Sequence, residues 1–183
     1  MTNVSNILGG GGGISTDINL LMNHARQEAL RHRLVRHQEI SCGRLVRRIS
    51  ELMQGYSQYR PLRPFGVCLL FAGYDKDEGF QLFTVEPPGS SFPWKATSFG
   101  EHKQTCLNHL ERYCSREMDC EEAAHIIIQI LQSVYDSKHF QLERKDIEVV
   151  VMSQSSSEGV QINFMTQEEI TELTNKDPED PDE

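Results

Sequence analysis

The sequence predicts an α+β chain built as a layered sandwich, with a sheet held between pairs of helices. Two observations carry this expectation. Segments with helical apolar spacing come in adjoining pairs on either side of a central block of strands. A second pair of strands, joined by a Ser-rich turn, follows the later helical pair and leads into a short last helix.

Taken in order, residues 1–13 end in five consecutive glycines. A phosphate loop needs Gly-Lys-Ser/Thr after its glycines, and Ile14-Ser15-Thr16 follows instead, so residues 1–12 read as a flexible Gly-rich start or a strand edge. Ser15, Thr16 and Asp17 open a helix, with polar side chains available to its first free N–H groups. Over residues 18–37, Ile18, Leu21, Met22, Ala25, Ala29 and Leu30 recur at three- and four-residue steps and form one stripe. A second helix is expected over residues 42–59, with Leu45, Val46, Ile49, Leu52, Met53 and Tyr56 on its apolar face.

The central block follows. Residues 66–73 are an apolar run of strand length, residues 74–79 a polar turn, and residues 80–85 a second strand. Pro87-Pro88-Gly89 breaks the chain, because the prolines lack ladder donors and Gly supplies the reversed bend. Residues 94–99 then lead through Gly100 into a helix over residues 101–113, with Cys106, Leu107, Leu110 and Tyr113 inward. Asp119, with Glu122 three residues on, gives the capping-box pattern for a fourth helix. Its expected stripe is Ile126, Ile127, Ile130, Leu131 and Val134, with His125 packed beside it. Residues 147–152 and 160–165 read as the hairpin strands, and residues 166–175 as the short last helix. The acidic, proline-broken residues 176–183 read as a disordered tail.

Composition bounds the function. The chain has 183 residues and a formal net charge of −9, which argues against a general nucleic-acid binder. No apolar run approaches the roughly 20 residues that span a bilayer, and no secretory leader is expected from the first residues. Five cysteines without a CxxC pair point to a reduced compartment, cytosol or nucleus. His24, His32 and His37 share a helix at steps of eight and five, which does not place them on one face as zinc ligands, so no metal or cofactor is expected. Against this acidic background, Arg26, Arg31, Arg33, Arg36, Arg44, Arg47 and Arg48 crowd onto the first two helices. That asymmetry reads either as a solvated face or as a surface for a partner bearing acidic groups.

The central stretch resembles the α-type subunits of the 20S proteasome. The matching residues are Arg63-Pro64-Phe65-Gly66-Val67, Ala72-Gly73-Tyr74-Asp75, Gly79-Phe80-Gln81-Leu82-Phe83, Trp94-Lys95-Ala96-Thr97, Gly100 and Leu110-Glu111-Arg112-Tyr113. Outside it, Gly13-Ile14 with Thr16-Asp17 is similar to that family's Gly-Leu/Ile-x-x-Asp joint. Ile147-Glu148-Val149 is similar to its penultimate strand. Where the family usually carries Asp-Pro-Ser-Gly, this chain has Glu86-Pro87-Pro88-Gly89.

The resemblance implies a four-layer αββα sandwich of the N-terminal-nucleophile hydrolase type, partial here and spanning residues 13–175. The leading tail, first helix and leading strands of the family have no counterpart before Gly13, so uncovered ladder edges and apolar faces are expected. It also implies a non-catalytic structural subunit of a seven-membered outer ring, working in ubiquitin-dependent protein degradation in cytoplasm and nucleus. Its partners would be other α-type subunits, β-type subunits and regulatory caps, with neither nucleic acid nor membrane. The Arg-rich helices would lie at the ring-to-ring contact, making Arg36, Arg44, Arg47 and Arg48 interface residues. Gly13 and Ile14 match positions that line the pockets for cap tails.

Two alternatives stand beside it. One is a truncated variant or adaptor that does not assemble normally. The other is an N-terminal threonine peptidase like the β-type subunits, which use the threonine amine as base. Met1-Thr2 allows a terminal threonine, but no strand is expected to hold Thr2 and the first lysine is Lys76, so no catalytic residue is assigned.

Overall fold

A computed structural model of the chain describes residues 2–4, 6–113, 118–136, 147–155 and 159–174. The expected acidic tail, residues 176–183, lies outside them, as do residues 156–158 of the Ser-rich turn. The chain falls into two compact units, Met1–Lys95 and Ala96–Glu183. Helices and antiparallel strands mix in both, as an α+β chain requires.

The first unit contains β1 (Thr2–Val4), β2 (Ile7–Gly13), α1 (Ser15–Arg36), α2 (Cys42–Gln58), β3 (Val67–Asp75), β4 (Gly79–Val85) and β5 (Ser91–Trp94). Its strands form one antiparallel sheet in chain order. The glycine run is therefore not a flexible start. It is β2, paired to β1 on one side and, from Ile7↔Gly73 to Gly13↔Val67, to β3 on the other. Glycine carries no side-chain periodicity from which a strand could be read, and the ladder to β3 supplies what the pattern lacks. The small residues also admit close packing, since a Cβ at Gly11 would come within 2.8 Å of the Leu69 side chain.

Alternation along β3 puts Val67, Leu69 and Phe71 on one face of the sheet, where α1 and α2 cover them. Leu21, Met22, Ala25 and Ala29 of α1 join Leu45, Val46, Ile49 and Met53 of α2 in this core, and Val85 enters it from β4. Each large side chain buried there contributes about 1.5–3 kcal/mol of transfer free energy. One expected member is missing: Leu30 is exposed. The stripe runs through Ala29, and Leu30, about 100° further round the helix, turns to solvent.

The Pro87-Pro88-Gly89 turn fixes α2 from below. Gly89 has φ 88°, and a Cβ there would lie 2.6 Å from both the Ser50 carbonyl oxygen and the Gln54 amide nitrogen. Ser57 Oγ also donates to the Pro87 carbonyl at 3.3 Å. Beyond the turn a further strand, Ser91–Trp94, pairs with β4, and residues 95–99 are irregular. Pro93 is tolerated because β5 is an edge strand.

The second unit contains α3 (Lys103–Tyr113), α4 (Cys120–Asp136), a hairpin of β6 (Val150–Ser155) and β7 (Gly159–Phe164), and α5 (Gln167–Thr174). The expected cap is present: the Glu122 amide donates to Asp119 Oδ1 at 2.8 Å. α5 has a reciprocal capping box. The Thr166 amide donates to Glu169 Oε2 at 2.6 Å, and the Glu169 amide donates to Thr166 Oγ1 at 3.3 Å. The Thr166 amide first, then the Thr166 hydroxyl donating to the same Oε2 at 2.9 Å, hold the Glu169 carboxyl below its ordinary range.

The apolar residues of α4 serve two clusters. Ala124 and Ile128 meet Ile147, Ile170 and Leu173, whereas Ile126, Ile130 and Val134 meet Cys106. This corrects the expected single stripe: Ile127 is exposed, and Ile128, left out of it, is fully buried. His125 is packed as expected. Its Nδ1 lies 2.7 Å from the Leu173 carbonyl and its Nε2 lies 2.9 Å from Gln129 Nε2, so Nδ1 carries the proton and Nε2 accepts.

Candidate functional site

Two arrangements in the first unit gather the sequence motifs. The first joins the Gly13-Ile14-x-x-Asp17 segment to Arg63-Pro64-Phe65-Gly66. Asp17 was expected to cap α1, but the N-cap position is Ile14 and makes no side-chain cap. The Asp17 carboxylate instead accepts from Arg63 Nη1 at 2.7 Å, Arg63 Nη2 at 2.8 Å and the Gly66 amide at 3.1 Å. This two-toothed fork is the geometry that suits guanidinium to carboxylate. The Arg63 bond first, then the Gly66 amide, hold the Asp17 carboxyl down at about 2.

The backbone completes the joint. The Ile14 amide donates to the Gly66 carbonyl at 3.0 Å. Gly13 has φ 126°, and a Cβ there would collide with that same carbonyl oxygen. Ile14 itself is exposed. Gly13 and Ile14 are therefore fixed against the start of β3.

The second arrangement is a groove of about 690 Å³ between α1 and α2. It is lined by Arg31, Arg36, Arg44, Arg47, Arg48, His32, Glu28 and Glu51, with Val35, Ile40 and Gly43. All four arginines singled out from the sequence, Arg36, Arg44, Arg47 and Arg48, thus meet in one place, together with Arg31. Arg47 Nε and Arg48 Nη1 share Glu51, at 3.1 and 3.3 Å, and Arg31 pairs with Glu28 at 3.2 Å. Such exposed pairs contribute about 0–1 kcal/mol each.

His32 is the residue that sequence reasoning missed here. Its Nδ1 lies 3.1 Å from the Gln38 carbonyl and its Nε2 lies 3.1 Å from Arg44 Nη1. A carbonyl only accepts and a guanidinium only donates, so the ring must be neutral, with the proton on Nδ1. Arg44 is twelve residues away on the next helix, and no spacing rule within α1 could have paired the two.

Cys42 is not poised as a nucleophile. Burial pushes the Cys42 thiol up to about 12, far from a thiolate. Among the described residues, no group of three His, Cys, Asp or Glu side chains is placed to hold a metal ion. No described helix is long and apolar enough to cross a membrane. One premise about Thr2 does change: Thr2–Val4 is a strand, paired to β2 from Thr2↔Gly9.

Residues 4–152 match the family described as "Proteasome subunit". That span contains both halves of the Asp17–Arg63 joint and the whole groove. A Schizosaccharomyces pombe protein named "Probable proteasome subunit alpha type-3" is 32% identical over 90% of this chain and 66% of its own length. The Oryza sativa subsp. indica "Proteasome subunit alpha type-4-1" is 36% identical over 80% of this chain and 58% of its own. An Arabidopsis thaliana protein, "Proteasome subunit alpha type-4-A", is 33% identical over 88% and 64%. The chain belongs to the proteasome subunit family. It spans about two thirds or less of the length of these relatives.

Proposed function

We propose that the chain is a non-catalytic structural subunit of the outer, α-type ring of the 20S proteasome core, acting in ubiquitin-dependent protein degradation. The observation that carries this reading is the likeness to α-type subunits over 80–90% of the chain. Its partners are neighbouring α-type and β-type subunits, with regulatory caps on the outer face. Gly13 and Ile14 contribute to a pocket for cap tails, and Arg36, Arg44, Arg47 and Arg48 face another subunit. Neither nucleic acid nor a membrane is required, and the working compartments are cytoplasm and nucleus, where thiols such as buried Cys42 and Cys106 stay reduced.

The test is incorporation. Tagged chain, expressed in cells, should co-sediment with the assembled core particle on a gradient and co-purify with both α-type and β-type subunits. A chain found only in light fractions would defeat the proposal. Peptidase activity from the isolated chain that Thr2→Ala abolishes would favour the N-terminal threonine alternative instead.

A further inference from the structure

The groove between α1 and α2 holds more positive charge than its own residues offset. Five guanidiniums line it against two carboxylates, and one of those, Glu51, already serves both Arg47 and Arg48. Arg44 meets the neutral ring of His32, which gives direction but no opposite charge. Arg36 has no hydrogen-bond or ion-pair partner among the described residues. Like charges held this close repel, and an anion placed among them would relieve that repulsion. The formal net charge of the chain is −9, so this basic hollow does not follow from a basic composition.

The start of α2 points the same way. Its N-cap residue, Ser41, makes no side-chain cap, and no acidic residue stands in its first turn. The positive end of the helix, with its free N–H groups, is thereby left open to an external anion. Gly43 and Arg44 of that turn belong to the groove lining.

The lining also selects the kind of anion. Arginine forks engage phosphate oxygens in pairs of parallel bonds. A phosphate group brings about 1.5–2 negative charges and three acceptor oxygens, more of both than a carboxylate. The cations stand on both walls, Arg31 and Arg36 from α1 and Arg44, Arg47 and Arg48 from α2. The volume of about 690 Å³ is that of a small-molecule site rather than of a single ion. No Phe, Tyr or Trp lines the groove, so a nucleotide base would find no ring to stack on.

We infer that this groove binds a compact, soluble molecule carrying several phosphate groups, either an inositol polyphosphate or a short inorganic polyphosphate. Its phosphates lie among Arg36, Arg44, Arg47 and Arg48 and against the start of α2. His32 is a positioning residue: by accepting from Arg44 and donating to the Gln38 carbonyl it aims one fork at the ligand. The inference goes beyond the subunit reading and does not rest on it. The ligand and another subunit cannot occupy the same arginines at once, so the unassembled chain is the form that binds it.

The experiment is isothermal titration calorimetry of the full chain with inositol hexakisphosphate, tripolyphosphate and ATP. At least one of the first two should bind saturably, one molecule per chain, and the tighter of them identifies the scaffold. ATP should bind no more tightly than tripolyphosphate. Arg44→Gln combined with Arg48→Gln should weaken binding about tenfold. Arg33→Gln, which removes an arginine outside the groove, should leave it unchanged. His32→Ala should weaken binding about threefold, and His32→Gln, which keeps an acceptor for Arg44, should restore it. Glu51→Gln frees Arg47 and Arg48 and should tighten binding about threefold, a gain that a misfolded variant cannot produce. Equal losses in Arg33→Gln and the double variant would reduce the binding to adventitious attraction of an anion and overturn the inference. So would the absence of saturable binding of both soluble polyphosphates, or ATP binding more tightly than tripolyphosphate. Vesicles containing phosphatidylinositol bisphosphate that recruit the chain, with neither soluble probe competing, would assign the groove to a lipid headgroup and also overturn it. A chain that binds the polyphosphate but stays out of the core particle defeats the subunit reading alone.

Discussion

The two units bury their apolar residues in different ways. In Met1–Lys95 a single cluster runs from Ile7 through α1 and α2 to Val85, with two helices laid side by side on one face of a five-stranded sheet. In Ala96–Glu183 the sheet among the described residues has two strands, and the buried residues form two smaller clusters that share α4. An isolated two-stranded hairpin is marginal in water, so β6 and β7 depend on what packs near them. The first unit spreads its stability over many elements, whereas the second concentrates it in one helix with apolar residues on several sides.

That contrast can be broken by mutation. Phe71→Ala, at the centre of the larger cluster, should cost about 3–5 kcal/mol and lower the urea midpoint of the whole first unit. A loss below about 1 kcal/mol would mean that the cluster is looser than its burial implies. Ile128→Ala should cost about 2–5 kcal/mol. If the second unit leans on α4, hydrogen exchange should then accelerate in α5 and at residues 147–149 while β3 stays protected. Equal acceleration in β3 would erase the distinction between the units.

The Asp17 joint sharpens the comparison through pH. Its carboxyl is lowered from the ordinary 3.8 to about 2 in the folded chain. The unfolded state therefore binds the proton first, and the stabilisation, complete above about pH 4, is lost as pH falls toward 2. Asp17→Asn should lower the melting temperature at neutral pH and flatten that acid limb for the first unit. An unchanged acid limb would show that the joint is not what titrates. The smallest effect is expected at Thr166→Ala, about 1 kcal/mol, read as fraying of α5 alone.

Legibility followed the range of the interaction. α1, α2, β3 and β4 were readable because their apolar spacing is local and regular, and the cap at Asp119 because its partner is three residues away. At β2 the sequence leaves a flexible start and a strand edge open, since a glycine strand takes its identity from β3 across the ladder. The role of Asp17 escapes local spacing for the same reason: its partners stand 46 and 49 residues on. At the groove, the arginines were visible as a cluster on two helices, but His32 as the link between those helices was not. Leu30 and Ile127 show the limit of stripe counting, because three- and four-residue steps tolerate a neighbour about 100° off the true face.

The seat of Gly89 beneath α2 bears on the arginines above it. A Cβ at Gly89 would collide with the backbone at Ser50 and Gln54, so the turn and α2 meet at a distance that only glycine permits. Arg44, Arg47 and Arg48 therefore stand on a helix seated directly on that turn. Gly89→Ala would push α2 off that seat and so displace the groove's arginines from a position that does not line the groove.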